Sequence, residues 1–281
     1  MWDEQSQHTR RRGHCVELEH RYGDNVHLIA DPVAQSLLAQ LCAVGTHQPR
    51  INRLVEALYR QLVVHAINQE LPQVRARFDS RMKPLLAEAG HDPERGVIET
   101  RVLDRSAPVV SVDIARAGIL PSLTCYNTLN ELLDPAVVRQ DHLIMSRAVG
   151  EDAHVTGAQI SGDKIGGPID GRVVFFPDPM GATGSSLATA IQYYKNTFEG
   201  QRARAWVTLN LIVTPEFIRR IQADHPEVII YALRLDRGMS DEDVLCTVPG
   251  THWERERGLN EHDYIVPGGG GFGEIMNNAW V

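Results

Sequence analysis

The sequence predicts an α/β domain built on a mainly parallel β-sheet that is flanked by helices. From about residue 95 onward, short apolar runs alternate with helical stretches. Strands that are apolar along their whole length are typical of a parallel sheet covered on both faces. The predicted strands cover 109–114, 142–149, 172–179, 204–214 and 227–235, and the predicted helices cover 120–133, 185–197 and 215–224. Ligands of such sheets bind where the strands end, so the loops after these strands are the candidate site.

Composition fits one large domain in a reducing compartment. The chain has 281 residues, of which 43% are apolar, and this is enough to bury a sizeable core. The net charge of −8 argues against a general nucleic-acid or membrane-surface partner. No apolar run approaches the roughly 18 residues that span a bilayer, and the polar amino terminus predicts no secretion signal. Scattered cysteines without a CxxC pair predict reduced thiols, so we expect a cytoplasmic protein.

The part of the chain before the predicted sheet is expected to hold a polar arm and a helical region. Residues 1–30 are rich in charge and histidine, and they are predicted to form an arm that contacts another subunit of a homo-oligomer, either a dimer or a tetramer. Residues 31–70 are predicted to be helical, and 31–281 to form one domain. The helical spacing is carried by Ile51, Leu54, Val55, Leu58 and Leu62, and it is typical of a packing helix without chemistry.

Two irregular segments interrupt the predicted sheet. Residues 150–171 are polar and rich in glycine, which predicts a long mobile loop of the kind that often closes over a ligand. Residues 237–258 are charged and irregular, and they are predicted to be an insertion.

A turn of small and hydroxyl residues follows the strand predicted over 172–179. The segment VVFFPDPMGATGSS ends its strand in an acid, Asp178, and then opens a helix. Its glycines let the backbone approach a ligand closely. Hydroxyl groups come from Thr183, Ser185 and Ser186, and the helix start adds unpaired amides and the positive end of a dipole. This combination is typical of a phosphate cradle, although an ordinary capped helix after a strand is an alternative that the turn alone leaves open.

The same segment resembles the signature that binds PRPP (phosphoribosyl pyrophosphate) in the type I phosphoribosyltransferases. Its Asp-Pro-Met-x-Ala-Thr-Gly form is the version typical of uracil phosphoribosyltransferases. The resemblance implies that the acid binds the ribose hydroxyls and that the turn binds the 5′-phosphate. The PRPP-binding residues implied in this way are Asp178, Pro179, Met180, Gly181, Ala182, Thr183, Gly184, Ser185 and Ser186.

Two arginines resemble family residues that act on the pyrophosphate. The segment DIARAGI follows the strand predicted over 109–114 and resembles the family's Leu-Arg-Ala-Gly-Leu loop, which holds pyrophosphate. A guanidinium suits this task because its fork donates to two phosphate oxygens at once. Arg147, near the end of the strand predicted over 142–149, resembles the arginine that starts the family's mobile loop. The resemblance therefore implies Arg116, Arg147 and Asp178 as catalytic residues.

A third segment, GLNEHDYIVPG at 258–268, is close to the family's GLNEHGYIxPG segment, which leads into the base pocket. The resemblance implies a small hood, contributed by 236–281, over the base site. The family continues with Gly-Leu-Gly-Asp-Ala-Gly-Asp, whereas this chain has glycine in place of the first acid and phenylalanine in place of a small residue. The base-binding residues implied are Tyr264, Ile265, Val266, Gly268, Gly271, Phe272 and Gly273.

Together these segments imply a type I phosphoribosyltransferase fold and a glycosyltransferase of pyrimidine salvage, which transfers phosphoribosyl from PRPP to uracil and yields UMP and pyrophosphate. Mg²⁺ is expected to be carried mainly by PRPP and water, and the histidines lack the paired spacing of a metal site held by the protein. The expected partners are PRPP, a pyrimidine base and, as a candidate effector, a nucleotide. The changes at 271 and 272 leave two alternatives open: transfer to another heterocyclic base, and a catalytically silent sensor of PRPP or nucleotides.

Overall fold

The structure, a computed structural model, describes residues 9–12, 15–149 and 155–279, with side chains at positions 16–145 and 159–279. Its strands are β1 (Thr9–Arg12), β2 (Cys15–Leu18), β3 (Val26–Leu28), β4 (Gln73–Asp79), β5 (Val97–Leu103), β6 (Val109–Ala115), β7 (Val138–Val149), β8 (Val155–Lys164), β9 (Val173–Pro177), β10 (Met180–Gly181), β11 (Ala205–Val213) and β12 (Ile229–Leu235). Its helices are α1 (Pro32–Cys42), α2 (Arg50–Glu70), α3 (Met82–Glu88), α4 (Ile119–Leu132), α5 (Ser185–Thr197), α6 (Pro215–Asp224), α7 (Glu242–Leu245) and α8 (Phe272–Ile275).

One large sheet organises the described chain. Its strands follow the order β3-β12-β11-β9-β6-β7-β8, and the short β10 pairs with β11 beside this path. Every neighbouring pair in that order is parallel except β7 and β8. The mainly parallel sheet predicted from the sequence is therefore confirmed, and β6, β9, β11 and β12 all end at one edge, the carboxyl edge.

Helices cover both faces of this sheet, as the apolar strands require. Val173 and Phe175 of β9 pack in an apolar cluster with residues of α1, α2 and α4. Val174 and Phe176, which alternate with them, pack in a second cluster with residues of α5 and α6. All four side chains are fully buried. Because successive side chains of a strand point to opposite faces, the clusters lie on the two sides of the sheet.

The helical stretch predicted over 31–70 is divided into two helices. Helix α1 ends at Cys42, and α2 begins at Arg50. Between them lies Pro49, which disfavours a helical conformation of the residue before it. The predicted apolar stripe is confirmed on α2, where its residues are buried against the first cluster.

The predicted loop over 150–171 is wrong for residues 155–164, which form β8 and pair antiparallel with β7. Residues 150–154 lie outside the described part of the chain. Ile160 packs against the second apolar cluster, while its neighbours Gln159 and Ser161 are exposed. An antiparallel edge strand needs only one buried face, so its polar and glycine-rich composition does not prevent pairing.

Two further regions differ in detail from the sequence-based prediction. Residues 26–28, within the predicted arm, form β3 at the edge of the main sheet and pair with β12, whereas residues 1–8 and 13–14 lie outside the described part. Strands β4 and β5, which the sequence did not predict, form a separate antiparallel pair. Among the described residues, no helix has both the length and the apolar character that crossing a membrane requires.

We expect Phe176→Ala to lower the free energy of unfolding by about 3–5 kcal/mol, because it leaves a cavity in a fully buried cluster. Its ring packs edge-on to Tyr194 and stacks with Trp206. Urea unfolding with an unchanged m-value measures the effect. The control is Phe78→Ala at a ring that is 49% exposed, which should cost less than about 1 kcal/mol. Equal losses in the two variants would contradict the assignment of the core.

Candidate active site

The loop that carries Arg116 lies directly against the end of β9. Strands β6 and β9 are parallel neighbours, so their following loops meet at the carboxyl edge. A Cβ placed on Gly118 would lie 3.2 Å from the carbonyl oxygen of Pro177 and 2.7 Å from that of Ile114. The Ala115–Arg116 peptide bond is cis, and the Arg116 side chain is exposed. Glycine at 118 thus allows the arginine loop to approach the residue before Asp178.

The turn after Asp178 is fixed by close packing on β11 and α6. A Cβ on Gly181 would lie 2.9 Å from atoms of both Val213 and Phe217, so only glycine fits without displacement. The Thr214 hydroxyl donates a 2.7 Å hydrogen bond to the carbonyl oxygen of Ala182. The turn therefore has a single position relative to the ends of β9 and β11.

Helix α5 begins at this turn with a left-handed residue. Gly184 has φ 79° and occupies the N-cap position, where it offers no side-chain cap to the first amides of the helix. The Ser185 amide donates to the Thr183 hydroxyl at 3.3 Å, and Ser186 is exposed. Hydroxyls, amides and the positive end of a 13-residue helix meet here, an arrangement that binds anions such as phosphate.

Asp178 is a carboxylate held in a poorly solvated position between strand ends. Its amide donates to the carbonyl of Leu209, and its own carbonyl accepts from the Asn210 side chain at 2.7 Å. Burial raises the pKa of its carboxyl group to about 7, against the opposing effect of a hydrogen bond from the Met180 amide. A ligand that donates hydroxyl groups would favour the ionised form.

A second acid, Asp113, lies on β6 just before the arginine loop, and sequence-based reasoning did not identify it. Its Oδ2 lies 3.0 Å from Nδ1 of His142 on the neighbouring strand β7. Its other oxygen, Oδ1, is buried and has no hydrogen-bond partner among the described residues. Burial raises the pKa of Asp113, while His142 opposes the shift. The available signal was an acid inside an otherwise apolar strand.

The segment 258–268 begins beside the turn that follows Asp178 and opens α5, the phosphate-type turn (residues 179–186). A Cβ on Gly258 would lie 2.3 Å from the carbonyl oxygen of Asp236 and 2.8 Å from Cβ of Thr214. Because Thr214 also bonds to Ala182, one threonine touches both the turn and this segment. The motif at 178–186 and the start of the segment 258–268 therefore lie close together, although about 70 residues separate them along the chain.

Most main-chain groups in the second half of this segment are already paired. The Tyr264 amide donates to the Asn260 side chain, and its carbonyl accepts from the Asn260 amide. The Val266 amide donates to Gly258, and its carbonyl accepts from Gly238. The Tyr264 side chain is 56% exposed. These pairs hold the segment in one conformation.

The glycine-rich stretch that follows, residues 268–273, packs into the core near its carboxyl end. The Phe272 ring is 2% exposed and shares the first apolar cluster with Ile265. Gly271 forms the N-cap of α8, and a Cβ placed there would lie 2.2 Å from Oε2 of Glu274. Phe272 therefore anchors the stretch, while Glu274 places a carboxylate beside the position at which the family motif has its acid.

The predicted insertion 237–258 forms a long loop whose two ends lie next to each other. Its two ends are joined by the hydrogen bond from the Met239 amide to the Arg257 carbonyl. Arg237 and the fully buried Glu256 form an ion pair at 3.1 Å, and the Tyr22 hydroxyl donates to the same glutamate. This loop therefore begins and ends beside the contact between Asp236 and Gly258.

The structure brings most predicted residues together. Arg116, Asp178 and the turn lie at adjoining strand ends, and Thr214 connects the turn with the predicted base segment. Arg147 lies in β7, where its backbone pairs with Ala158, and its side chain lies outside the described residues. Sequence-based reasoning missed Asn210, Thr214 and Asp236. Asp236 directly follows the strand predicted over 227–235, and Thr214 is the last residue of the strand predicted over 204–214, which is the signal that could have found them.

Comparison with protein families shows one match across most of the chain. A family model described as uracil phosphoribosyltransferase matches residues 28–252. The matched range covers the arginine loop and the Asp178 turn and ends before Gly258.

Curated relatives match a shorter part. The uracil phosphoribosyltransferase of Caldanaerobacter subterraneus subsp. tengcongensis is 36% identical over 113 residues, which are 40% of this chain and 42% of that protein. The uracil phosphoribosyltransferase of Chlamydia muridarum is 38% identical over 103 residues, which are 37% of this chain and 26% of that protein. The match thus spans less than half the length of these relatives.

A solved structure shares the fold. The AQ2163 protein from Aquifex aeolicus superposes with a TM-score of 0.65 and 19% sequence identity, and the alignment covers 91% of this chain and 99% of that one. At this identity the likeness concerns the fold alone.

We expect Asp178→Asn to stabilise the protein relative to wild type as the pH rises. The folded carboxyl ionises at about pH 7 and the unfolded one near 3.8, so between these values the folded state binds more protons and wild-type stability falls with pH. The variant lacks this loss. Its advantage should grow by about 1–4 kcal/mol from about pH 4 to about pH 8 in urea unfolding. The exposed Glu88→Gln controls for removal of one charge, and an advantage that is equal at both pH values would refute the prediction.

Proposed function

Because the chain belongs to the uracil phosphoribosyltransferase family, we propose that it transfers the phosphoribosyl group of PRPP to uracil, which yields UMP and pyrophosphate. The fold is that of the type I phosphoribosyltransferases, with helices on both faces of a mainly parallel sheet. The observation that carries the proposal is the close approach of two loops that both suit anionic groups. Through Gly118, the loop of Arg116 lies against the strand end that leads into Asp178 and its phosphate-type turn.

These two loops match the two ends of PRPP. The amides and hydroxyls at the start of α5 suit the 5′-phosphate, and Asp178 suits the ribose hydroxyls. The exposed guanidinium of Arg116 suits the pyrophosphate, because its fork donates to two oxygens. Arg147 is proposed as a second group on the leaving pyrophosphate. The adjoining position of the loops suits a substrate that carries both groups on one ribose.

The reaction would be a displacement at the anomeric carbon of the ribose. A ring nitrogen of the base forms the new bond, the bond to pyrophosphate breaks, and the ring proton leaves to solvent. Negative charge grows on the leaving group in the transition state, and Arg116 would stabilise it there. Holding both reactants in line supplies a large part of the rate enhancement.

The residues at the turn fit a magnesium ion that is held mainly by the substrate. Among the described residues, no group of three or more acidic, histidine or cysteine side chains could hold a metal ion by itself. Asp178 supplies a single carboxylate at the strand end, and Mg²⁺ is commonly bound by one or two carboxylates together with phosphate oxygens and water. When bound, the ion would neutralise part of the pyrophosphate charge.

A second candidate is the same transfer to a different heterocyclic base. It is favoured by Gly271, where the family motif has an acid, and by the nearby carboxylate of Glu274, which enters from α8. A carboxylate presented from another backbone position would favour a different pattern of N–H groups on the base. For transfer to either base, we propose that residues 236–281 form the hood over the base site.

The biological setting is proposed from the family. The protein would act in cytoplasmic pyrimidine salvage as a homo-oligomer, and a nucleotide effector stays a prediction. An apolar face on the β4–β5 pair is consistent with oligomerisation, because Phe78 and Ile98 lie opposite each other and are both about half exposed.

A pyrophosphate-release assay with PRPP, Mg²⁺ and a panel of bases tests the function. We expect turnover with uracil and little with cytosine, orotate, adenine or hypoxanthine, because a site built for one hydrogen-bonding edge leaves its groups unpaired on another. Preference for a different base would support the second candidate. Binding of PRPP in calorimetry without turnover of any base would support a sensor instead.

We expect Arg116→Lys to lower kcat/KM about 10- to 100-fold, because lysine keeps the charge but loses the bidentate fork. The assay is pyrophosphate release with uracil at limiting PRPP. Arg105→Lys is the matched control, since Arg105 is also exposed but precedes the amino end of β6. Turnover of Arg116→Lys close to that of the control would rule out the proposed role of Arg116.

A further inference from the structure

A buried ion pair at the end of β12 holds one residue of the glycine-rich stretch by both of its main-chain groups. The Gly268 amide donates to Oδ2 of Asp236 at 2.8 Å. The Gly268 carbonyl accepts from the Arg234 guanidinium at 2.9 Å. Arg234 also donates to both oxygens of Asp236, at 2.6 and 2.8 Å. Two side chains that are bound to each other thus fix the position of a single residue.

The pair is well placed for this task because little water competes with it. The side-chain exposure is 13% for Arg234 and 2% for Asp236. The Asp236 amide also donates to Val213, the last residue of β11, so the acid is tied to the carboxyl edge. Gly268 has φ 63°, and a Cβ there would lie 2.2 Å from the Ile265 carbonyl oxygen. The position that the pair holds therefore tolerates only glycine.

This arrangement narrows the set of main-chain groups that can bind a base. The amides and carbonyls of Tyr264, Val266 and Gly268 are all engaged within the protein. Those of Gly269 and Gly270 have no hydrogen-bond partner anywhere in the described part of the chain. The main-chain groups of Ile265 are likewise unpaired among the described residues, and Gly269 and Gly270 are the free residues that directly follow the fixed Gly268.

We propose that Arg234 and Asp236 are positioning residues for the heterocyclic base, which they position by fixing Gly268 so that the free main-chain groups of Gly269 and Gly270 bind it. The inference rests on the proposed function for the presence of a base at this stretch. Fixed main-chain donors and acceptors bind a planar base tightly only if their spacing is set before the base arrives. Loss of the pair should therefore weaken binding of the base and leave PRPP binding intact.

A similar pair elsewhere in the sheet provides a matched control. On β7, Arg139 and Asp141 have the same spacing in the sequence and side-chain exposures of 16% and 0%. Asp141 accepts from the Gly166 amide at 2.9 Å, and Arg139 donates to the Pro168 carbonyl at 3.0 Å. This pair fixes a loop in the same manner, but the loop lies after β8 and contains none of the predicted base residues.

The experiment compares Asp236→Asn with Asp141→Asn in the full-length protein, using steady-state pyrophosphate release. For Asp236→Asn we expect the KM for uracil to rise about 10- to 100-fold while the KM for PRPP changes less than about twofold. For Asp141→Asn we expect both KM values to stay within about twofold of wild type. Thermal unfolding of both variants shows whether their loss of stability is comparable. If Asp236→Asn does not fold, Arg234→Lys replaces it, since lysine keeps a cation beside Asp236 but cannot form the fork.

The outcomes separate this inference from the proposed function. If wild type uses uracil and the two variants change the KM for uracil equally, the pair is structural and the inference is overturned. If wild type prefers another base from the panel, the proposed substrate is wrong, and the same comparison is made with that base. If wild type turns over no base and calorimetry detects no UMP binding, both the function and the inference fail.

Discussion

The burial of parallel strands on both faces is the constraint on which the rest of this structure depends. Such strands cannot be joined by tight turns, so each must be followed by a helix that crosses the sheet and returns the chain to the opposite edge. The strands β6, β9, β11 and β12 consequently end side by side, and their four loops meet at one edge. The arginine loop, the turn after Asp178 and the segment 258–268 all follow these strands. The loops meet at this edge because the buried strands that precede them fix where each loop begins.

Close contacts at glycines convert this edge into a continuous site. Gly118 allows the arginine loop to pack against the end of β9. Gly181 packs closely on Val213, and Gly258 packs closely on Thr214. Each contact would be obstructed by a single added carbon. The glycines therefore set distances between loops that are far apart in the chain, and this explains why the motifs need glycine as well as charged residues.

Buried ion pairs complete the framework in a chain with a net charge of −8. The pairs Arg139–Asp141, Arg234–Asp236 and Arg237–Glu256 each hold main-chain groups of a neighbouring loop. Buried pairs of this kind add little net stability, because desolvation offsets their attraction, but they select one loop conformation over others. The acidic surface and the anion-binding edge are compatible since the edge uses amides, hydroxyls and a few arginines.

The sequence by itself determined the sheet, the helices on its faces and the identity of the loops that carry Arg116 and Asp178, because strand and helix periodicity and turn chemistry are local properties. It did not predict β8, whose pairing depends on the partner strand β7 rather than on its own polar composition. Nor did it reveal the roles of Thr214 or Asp236, because a threonine or an aspartate after a strand becomes a link only when a distant backbone group is brought within hydrogen-bond distance. The tertiary structure alone decided which main-chain groups of the glycine-rich stretch are occupied and which are free. That choice depends on the ion pair of Asp236 with Arg234, which no local pattern encodes, since its target Gly268 lies 32 residues further along the chain.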